Sequence, residues 1–277
     1  MTVVDSGMEL RKVLNRTSRG RRVLVPTMGA LHEGHLQLIR QARALAGPEG
    51  TVIVSIFVNP IQFDRPSDLA AYPRPMESDL AVCEAEGVDV VFAPHVASMY
   101  FPDRSVTVTE SMLARGLCGA SRPGHFDGVC TVVLKLFLLT GCDVSVFGEK
   151  DFQQLAIIRR MVRDLDVPVA IVAVPTVREL DGLAMSSRNA RLTAGQRADA
   201  PRIRQALIAA AARTSPGEIL ATARAGIEAS PLGRIDYLSL VDAETLQPVS
   251  GLEHPAVLAA AVFYGDVRLI DHTSVCR

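Results

Sequence analysis

From residue 20 to about 175 the chain alternates short runs of β-branched residues with longer stretches whose apolar positions recur every three or four residues. The runs predict strands over Val23–Thr27, Thr51–Val58, Asp89–Pro94, Ser105–Thr109, Asp143–Phe147 and Val169–Val174. The periodic stretches predict helices over Gly34–Ala46, Met76–Glu86, Asp127–Leu139 and Asp151–Leu165. Strands that are apolar along their whole length are buried on both faces, so the pattern implies a Rossmann-like, doubly wound parallel sheet clothed in helices. Sheets of this kind bind ligands beyond the carboxyl ends of their strands. After residue 176 the texture changes. A polar loop, Arg178–Asn189, leads into an Ala- and Arg-rich helical stretch from Thr193 to about Arg213, which Pro201 is expected to kink or break. A helix near Pro216–Ala229 follows, then strand-like runs at Ile235–Val241, Ala256–Phe263 and Val267–Ile270, spaced for antiparallel pairing. The expected architecture is therefore α/β over residues 1–176, with a smaller C-terminal α+β domain of helices and a short antiparallel sheet over 177–277.

Composition narrows the function classes. A length of 277 residues suits about two domains, and 48% hydrophobic against 21% charged residues excludes a disordered chain. Lys and Arg total 29 against 30 Asp and Glu, a net charge of -1, so no global field draws in nucleic acid or an anionic membrane. An anionic ligand has to be met by local charge. The five cysteines, Cys83, Cys118, Cys130, Cys142 and Cys276, are scattered, odd in number and never spaced CxxC, which argues against a disulfide scaffold or zinc ribbon and suits a reducing cytoplasm. No apolar run reaches the roughly 18 residues of a membrane span, and the N-terminus has no signal-peptide core. A soluble cytoplasmic protein is expected.

The most informative segment is Met28-Gly29-Ala30-Leu31-His32-Glu33-Gly34-His35, where a predicted strand ends, a turn containing Gly29 follows and two histidines three residues apart open a helix. At that spacing both rings can share a face, and free N–H groups at the helix start would favour phosphate. Zincin chemistry is excluded, since HExxH needs its ligands at i and i+4. A second cluster, Gly148-Glu149-Lys150-Asp151, joins another strand end to another helix start, with Asp151 a candidate N-cap or first-turn acid and Gln154 one helical turn beyond Lys150. The polar loop carries Met185-Ser186-Ser187-Arg188, hydroxyls and a guanidinium that can surround phosphate oxygens and close over a ligand. Asn59 and Gln62 end a further apolar strand, where their amides could read a small polar substrate; Asn59-Pro60 alone reads as a turn. Neither a P-loop nor a G-x-G-x-x-G fingerprint is present.

Together these motifs carry a resemblance. HxGH after the first strand, with later lysine and serine-rich segments, resembles the nucleotidyltransferase superfamily. PTMGALHEGH, FVNPIQF, YPR, RPGHF, FGEKDFQQL, PTVRELDGLAMSSRN and RLID, in this order along nearly the whole chain, resemble the pantoate-beta-alanine ligase family, the pantothenate synthetases. The resemblance implies a magnesium-dependent reaction in two steps. Pantoate attacks the α-phosphorus of ATP to give pantoyl adenylate and pyrophosphate, and β-alanine then displaces AMP. It further implies that Met28 to His35 line the ATP site, with His32 and His35 on the phosphates and His35 as proton donor. Gly148, Glu149, Lys150 and Asp151 would contact nucleotide, Lys150 through phosphate and Asp151 through ribose. Val177, Met185, Ser186, Ser187 and Arg188 would complete the ATP site, the last three as a phosphate clamp. Gln62 and Gln154 would hold pantoate, Gln62 also lying near β-alanine with Asn59 close by. No protein ligands for Mg²⁺ are evident, so the metal is expected to travel with the triphosphate, and homodimerisation is expected from the family. One stretch departs from the family: where something near NIVQPD is expected, Leu138-Leu139-Thr140-Gly141-Cys142-Asp143 stands, and Gly141 can still stop the helix. Two other readings compete: an adenylyltransferase that leaves the nucleotide in its product, and a nucleotide-binding scaffold without activity.

Overall fold

A computed structural model describes residues 1–17 and 20–275, so Cys276 lies outside the described residues. The chain divides into two compact units. The first comprises Met1–Glu110, Arg122–Glu149 and Ile157–Pro175; the second comprises Ser111–Ser121, Lys150–Ala156 and the chain from Thr176 onward.

The strands of the first unit are β1 (Thr2–Val4), β2 (Arg22–Thr27), β3 (Thr51–Ile56), β4 (Val90–Phe92), β5 (Val144–Gly148) and β6 (Ala170–Val174). They form one sheet in the order β1-β4-β3-β2-β5-β6, and all five pairings are parallel. The helices, in chain order, are α1 (Gly7–Leu14), α2 (Glu33–Ala46), α3 (Pro66–Ala70), α4 (Met76–Ala85), α5 (Val96–Met99), α6 (Leu117–Ser121), α7 (His125–Thr140), α8 (Phe152–Asp164), α9 (Ala194–Asp199), α10 (Arg202–Ala211) and α11 (Pro216–Glu228). Leu38, Ile39 and Ala42 of α2 pack with Val23, Val25, Val52, Val54 and Val146 in a single apolar cluster. Each of the valine, leucine and isoleucine side chains contributes about 1.5–3 kcal/mol by leaving water. The strand order reverses at β2, whose neighbours are β3 on one side and β5 on the other. The segments leaving β2 and β5 are the HxGH turn and Gly148-Glu149, at the sheet edge where doubly wound folds place ligands.

The second unit holds the antiparallel sheet β7 (Gly233–Asp242), β8 (Ala256–Tyr264) and β9 (Val267–Val275), in that order. Its core joins Leu258, Ala260 and Val262 of β8 to Ile203 and Leu207 of α10 and Ile219 and Ile227 of α11. Pro201 separates α9 from α10, as its missing N–H requires. Gly141 ends α7 in the left-handed conformation, at φ 55°, and its N–H closes on Phe137 O, so the departure from the family pattern leaves the helix stop in place.

The expected strand at Ser105–Thr109 is not formed. That stretch pairs with no strand among the described residues; Val106 faces solvent, and the Val108 N–H is taken by the Thr131 hydroxyl on α7 at 3.0 Å.

Candidate active site

Thr27 ends β2 with its hydroxyl donating to Ser55 O on β3 at 2.7 Å and accepting the Gly29 N–H at 3.2 Å, which turns the chain out of the sheet. Gly29 (φ 80°) and Ala30 (φ 52°) both take left-handed conformations. The main-chain N–H groups of Ala30 and Leu31 each donate to the carboxylate of Asp79 at 2.8 Å. His32 then caps α2: its Nδ1 accepts from Gly34 N at 3.1 Å, while Nδ1 of His35 accepts from His32 N at 3.3 Å. Since each Nδ1 accepts, the proton of each neutral imidazole sits on Nε2. The ring centroids are 4.2 Å apart. The expectation of free N–H groups at this helix start needs correction. The N–H groups of Gly29, Ala30, Leu31, His32, Gly34 and His35 already have partners within the chain. An anion here would be met mainly by imidazole Nε2–H.

The same unit contains Asn59 and Gln62, both buried, on a 3₁₀ turn (Pro60–Gln62) that follows β3. Asn59 donates to Gln62 Oε1 at 2.8 Å and to Gly128 O at 3.0 Å, and accepts from the Tyr100 hydroxyl at 2.8 Å. Burial pushes the Tyr100 phenol up to about 12, against the opposing charge of Arg104, so it stays a donor across the neutral range. Gln62 Nε2 reaches Met28 Sδ at 3.2 Å, linking this amide pair to the first residue of the HxGH segment. The Gln62 carbonyl receives Nδ1–H of His125 at 2.8 Å and the Arg122 guanidinium at 3.3 Å. Because Arg122 Nη1 can only donate to His125 Nε2, 3.1 Å away, His125 is a neutral imidazole protonated on Nδ1. Arg122 also binds Asp64 at 2.9 Å; burial raises the Asp64 carboxyl, but this hydrogen bond and the arginine charge outweigh it and hold the group below its usual range.

In the second unit Lys150 Nζ lies 3.6 Å from the Asp151 carboxylate at the end of a 3₁₀ turn (Glu149–Asp151), immediately before α8. Gln154 follows on the first turn of α8, beside the buried Gln153. Gln153 accepts from Cys118 N at 2.9 Å and donates to Leu113 O and Gly116 O at 2.8 Å, fixing that end of the helix. The segment 177–189 is a small hairpin: Met185 N donates to Val177 O, Glu179 N to Leu183 O, and Arg178 bridges Ala184. Arg178 binds both oxygens of Asp271 at 2.8 and 2.9 Å, and Arg197 binds Glu179 and Asp181. Ser186 caps the 3₁₀ turn Ser187–Arg191, its Oγ accepting from Arg188 N at 3.3 Å. Thus Met28 to His35, Asn59, Gln62, Gly148 and Glu149 belong to the first unit, and Lys150, Asp151, Gln154, Val177 and Met185 to Arg188 to the second.

Residues 2–274 match the family described as Pantoate-beta-alanine ligase. The chain belongs to the pantoate-beta-alanine ligase family. Its sequence is 58% identical over 254 residues to a pantothenate synthetase of Akkermansia muciniphila, covering 90% of each chain. It is 52% identical over 280 residues to that of Solidesulfovibrio magneticus, covering 98% of this chain and 97% of that one. The fold is similar to a crystal structure of pantothenate synthetase from Thermus thermophilus, with a TM-score of 0.94, 44% identity and full coverage of both chains. A Francisella tularensis pantoate-beta-alanine ligase, complexed with beta-gamma ATP and beta-alanine, is similar at a TM-score of 0.82 and 32% identity, covering 99% of this chain and 97% of that one.

For this pantoate-beta-alanine ligase family member, reasoning from sequence missed the residues that support the site. Asp79 lies about 50 residues from the turn it holds, and nothing local in the sequence signals the pairing. Arg122 and His125 were visible only as part of RPGHF; a Pro-Gly step ahead of a helical pattern was the signal that the chain turns there and presents both side chains from one helix start. Among the described residues no group of three or more His, Cys, Asp or Glu side chains could hold a metal ion, and no helix is long and apolar enough to cross a membrane.

Proposed function

We propose that this chain condenses (R)-pantoate with β-alanine at the expense of ATP through pantoyl adenylate, releasing pyrophosphate and AMP. The observation that carries this reading is the near full-length family match, residues 2–274, with the HxGH turn at the carboxyl end of the central strand. In the first step a pantoate carboxylate oxygen bonds to the α-phosphorus of ATP and the bond to the β-phosphate oxygen breaks. A carboxyl with a reference pKa of about 4 is already ionised at neutral pH, so no base is required. The need is for donors and cations along a polyanion. His32 and His35 offer Nε2–H, and in this reading Lys150, Ser186, Ser187 and Arg188 supply the rest, His35 protonating a phosphate or leaving-group oxygen. In the second step the β-alanine nitrogen attacks the acyl carbon, AMP leaves with the bridging oxygen, and the amine gives up its proton. Gln62 and Gln154 hold pantoate and Asn59 orients Gln62. Met28 to His35, Gly148 to Asp151, Val177 and Met185 to Arg188 line ATP, with 1–176 the nucleotide- and pantoate-binding part and 177–277 the closing part.

In this reading Mg²⁺ arrives on the triphosphate and keeps several waters. When bound, the ion neutralises charge that builds on the phosphates. We further propose that the enzyme acts as a cytoplasmic homodimer; sedimentation as a single chain would overturn the dimer. The reaction is tested by omitting β-alanine: pantoate alone should drive exchange of labelled pyrophosphate into ATP, and the complete mixture should release AMP. Formation of ADP and phosphate would overturn the adenylate route.

A further inference from the structure

α4 turns a carboxylate toward the core beside Cys83: Asp79 is 2% exposed. Burying an ionised carboxylate is costly unless its oxygens are hydrogen-bonded. Here both are, and to a segment some 50 residues away: Oδ2 accepts from Ala30 N and Oδ1 from Leu31 N, each at 2.8 Å. The segment cannot hold its shape cheaply by itself. Ala30 sits at φ 52°, a region that costs an alanine roughly 1 kcal/mol or more. At Gly29, φ 80°, an added Cβ would lie 2.8 Å from Asp79 Oδ2 and 3.0 Å from Ile56 Cγ2, so glycine and carboxylate fit against each other. His32, whose imidazole caps α2, is the next residue after Leu31.

We infer that Asp79 is a positioning residue for the ATP-binding turn: it clamps Ala30 and Leu31 in the left-handed turn and so sets where His32 and His35 present Nε2–H. This rests on the reading above that Met28 to His35 hold ATP. Asp79 has a second effect on the same turn. By consuming two of its N–H groups it leaves the histidine side chains, and not a main-chain nest, to meet phosphate. The bond pattern also makes the carboxylate hard to replace. An asparagine of the same shape can accept from one of the two N–H groups but turns an NH₂ against the other.

The test uses Asp79→Asn, with Gly29→Ala approaching the same contact from the other side. With far-UV circular dichroism and melting used to confirm folding, Asp79→Asn should raise the KM for ATP about tenfold or more while the KM for β-alanine stays within about twofold. Amide hydrogen exchange should accelerate at Ala30 and Leu31 and not along β2. Gly29→Ala should show the same split, and the double variant should lose less than the product of the two single effects. An Asp79→Asn enzyme that folds with its ATP KM within about twofold of the parent, or with both KM values raised alike, overturns the inference. Should Asp79→Asn fail to fold, Gly29→Ala decides by the same KM split. If the parent protein makes no AMP from pantoate, ATP and β-alanine together, the reading of the reaction fails instead, and the exchange rates at Ala30 and Leu31 still decide whether Asp79 holds the turn.

Discussion

Gln62 is held from three sides at once. Asn59 binds its side-chain oxygen, Arg122 and His125 bind its carbonyl, and the main chain of α7 approaches so closely that only glycine fits at position 128. A Cβ there would lie 2.6 Å from Ile61 O and 2.7 Å from both Cα and N of Gln62, all main-chain atoms that cannot swing aside. Gly128→Ala should therefore displace the turn that carries Gln62, costing about 1–3 kcal/mol of stability as overpacking does. Its specific signature should be a raised KM for pantoate with the KM for ATP little changed, read from initial rates with each substrate varied in turn. Equal KM values in variant and parent would show that the turn absorbs the methyl group. At this scale the sequence was legible where chemistry and local conformation coincide. His32 and His35, spaced three apart after a strand, lie side by side as that spacing implies, and Asn59-Pro60 marks a turn. It was opaque where a residue acts across the fold: Asp79, His125 and Tyr100 reach their partners over separations of about 40 to 60 residues, which no local pattern encodes.

β9 shows both why element boundaries are hard to read and what a polar residue can do inside a strand. The periodic apolar run stops at Ile270, so the expected strand ended there, yet β9 continues to Val275. Alternation explains the extension: Val267, Leu269, Asp271 and Val275 are the buried positions, and Asp271 occupies one where an aliphatic residue would be normal. It is tolerated because Arg178 of the 177–189 hairpin binds both of its oxygens. Arg204 is held below the ordinary arginine value first by burial and then by the charge of Arg178, with Asp271 offsetting both. Asp271→Asn should thus leave two guanidinium groups facing each other and lower stability by about 1.5–3 kcal/mol, the worth of a hydrogen bond to a charged group. Denaturant unfolding should show the loss, and added salt should recover part of it by screening the two arginines. A loss that salt does not reduce would rule out the charge argument. Other differences from expectation have different causes. β1 is three residues long, too short for periodicity, although Ser6 ahead of α1 and Glu9 in its first turn form a capping pattern that could have revealed that helix. Ser105–Thr109 alternates like a strand but has no neighbour to complete a ladder among the described residues.

For the whole molecule the near-zero net charge of -1 proved informative because it forced the question of where cations are concentrated. The fold class followed from strands apolar on both faces, since that property belongs to the chain as a whole and survives errors at individual boundaries. The cysteines carry a further global consequence. Cys83, Cys118, Cys130 and Cys142 are free and buried. Burial pushes the thiols of Cys83 and Cys130 up to about 12, aided at Cys83 by Asp79 and at Cys130 by Glu110 and Asp127, and it pushes Cys142 up to about 11. In the unfolded chain the same groups titrate near about 8.5. The folded protein therefore binds these three protons more tightly than the unfolded chain does. Their contribution to stability is fully present below about pH 8.5 and is lost as pH rises through 11 to 12. The urea midpoint should accordingly fall as pH is raised from about 8 to about 11, and a flat or rising midpoint would contradict the burial argument. The same chemistry predicts reactivity, because the thiolate is the nucleophile. At pH about 8, iodoacetamide followed by peptide mapping should leave Cys83, Cys130 and Cys142 unmodified in the folded protein and label all three in urea. Labelling of any of the three at the unfolded rate would mean that the first unit opens locally around that thiol, and the labelled peptide would identify which helix or strand end gives way.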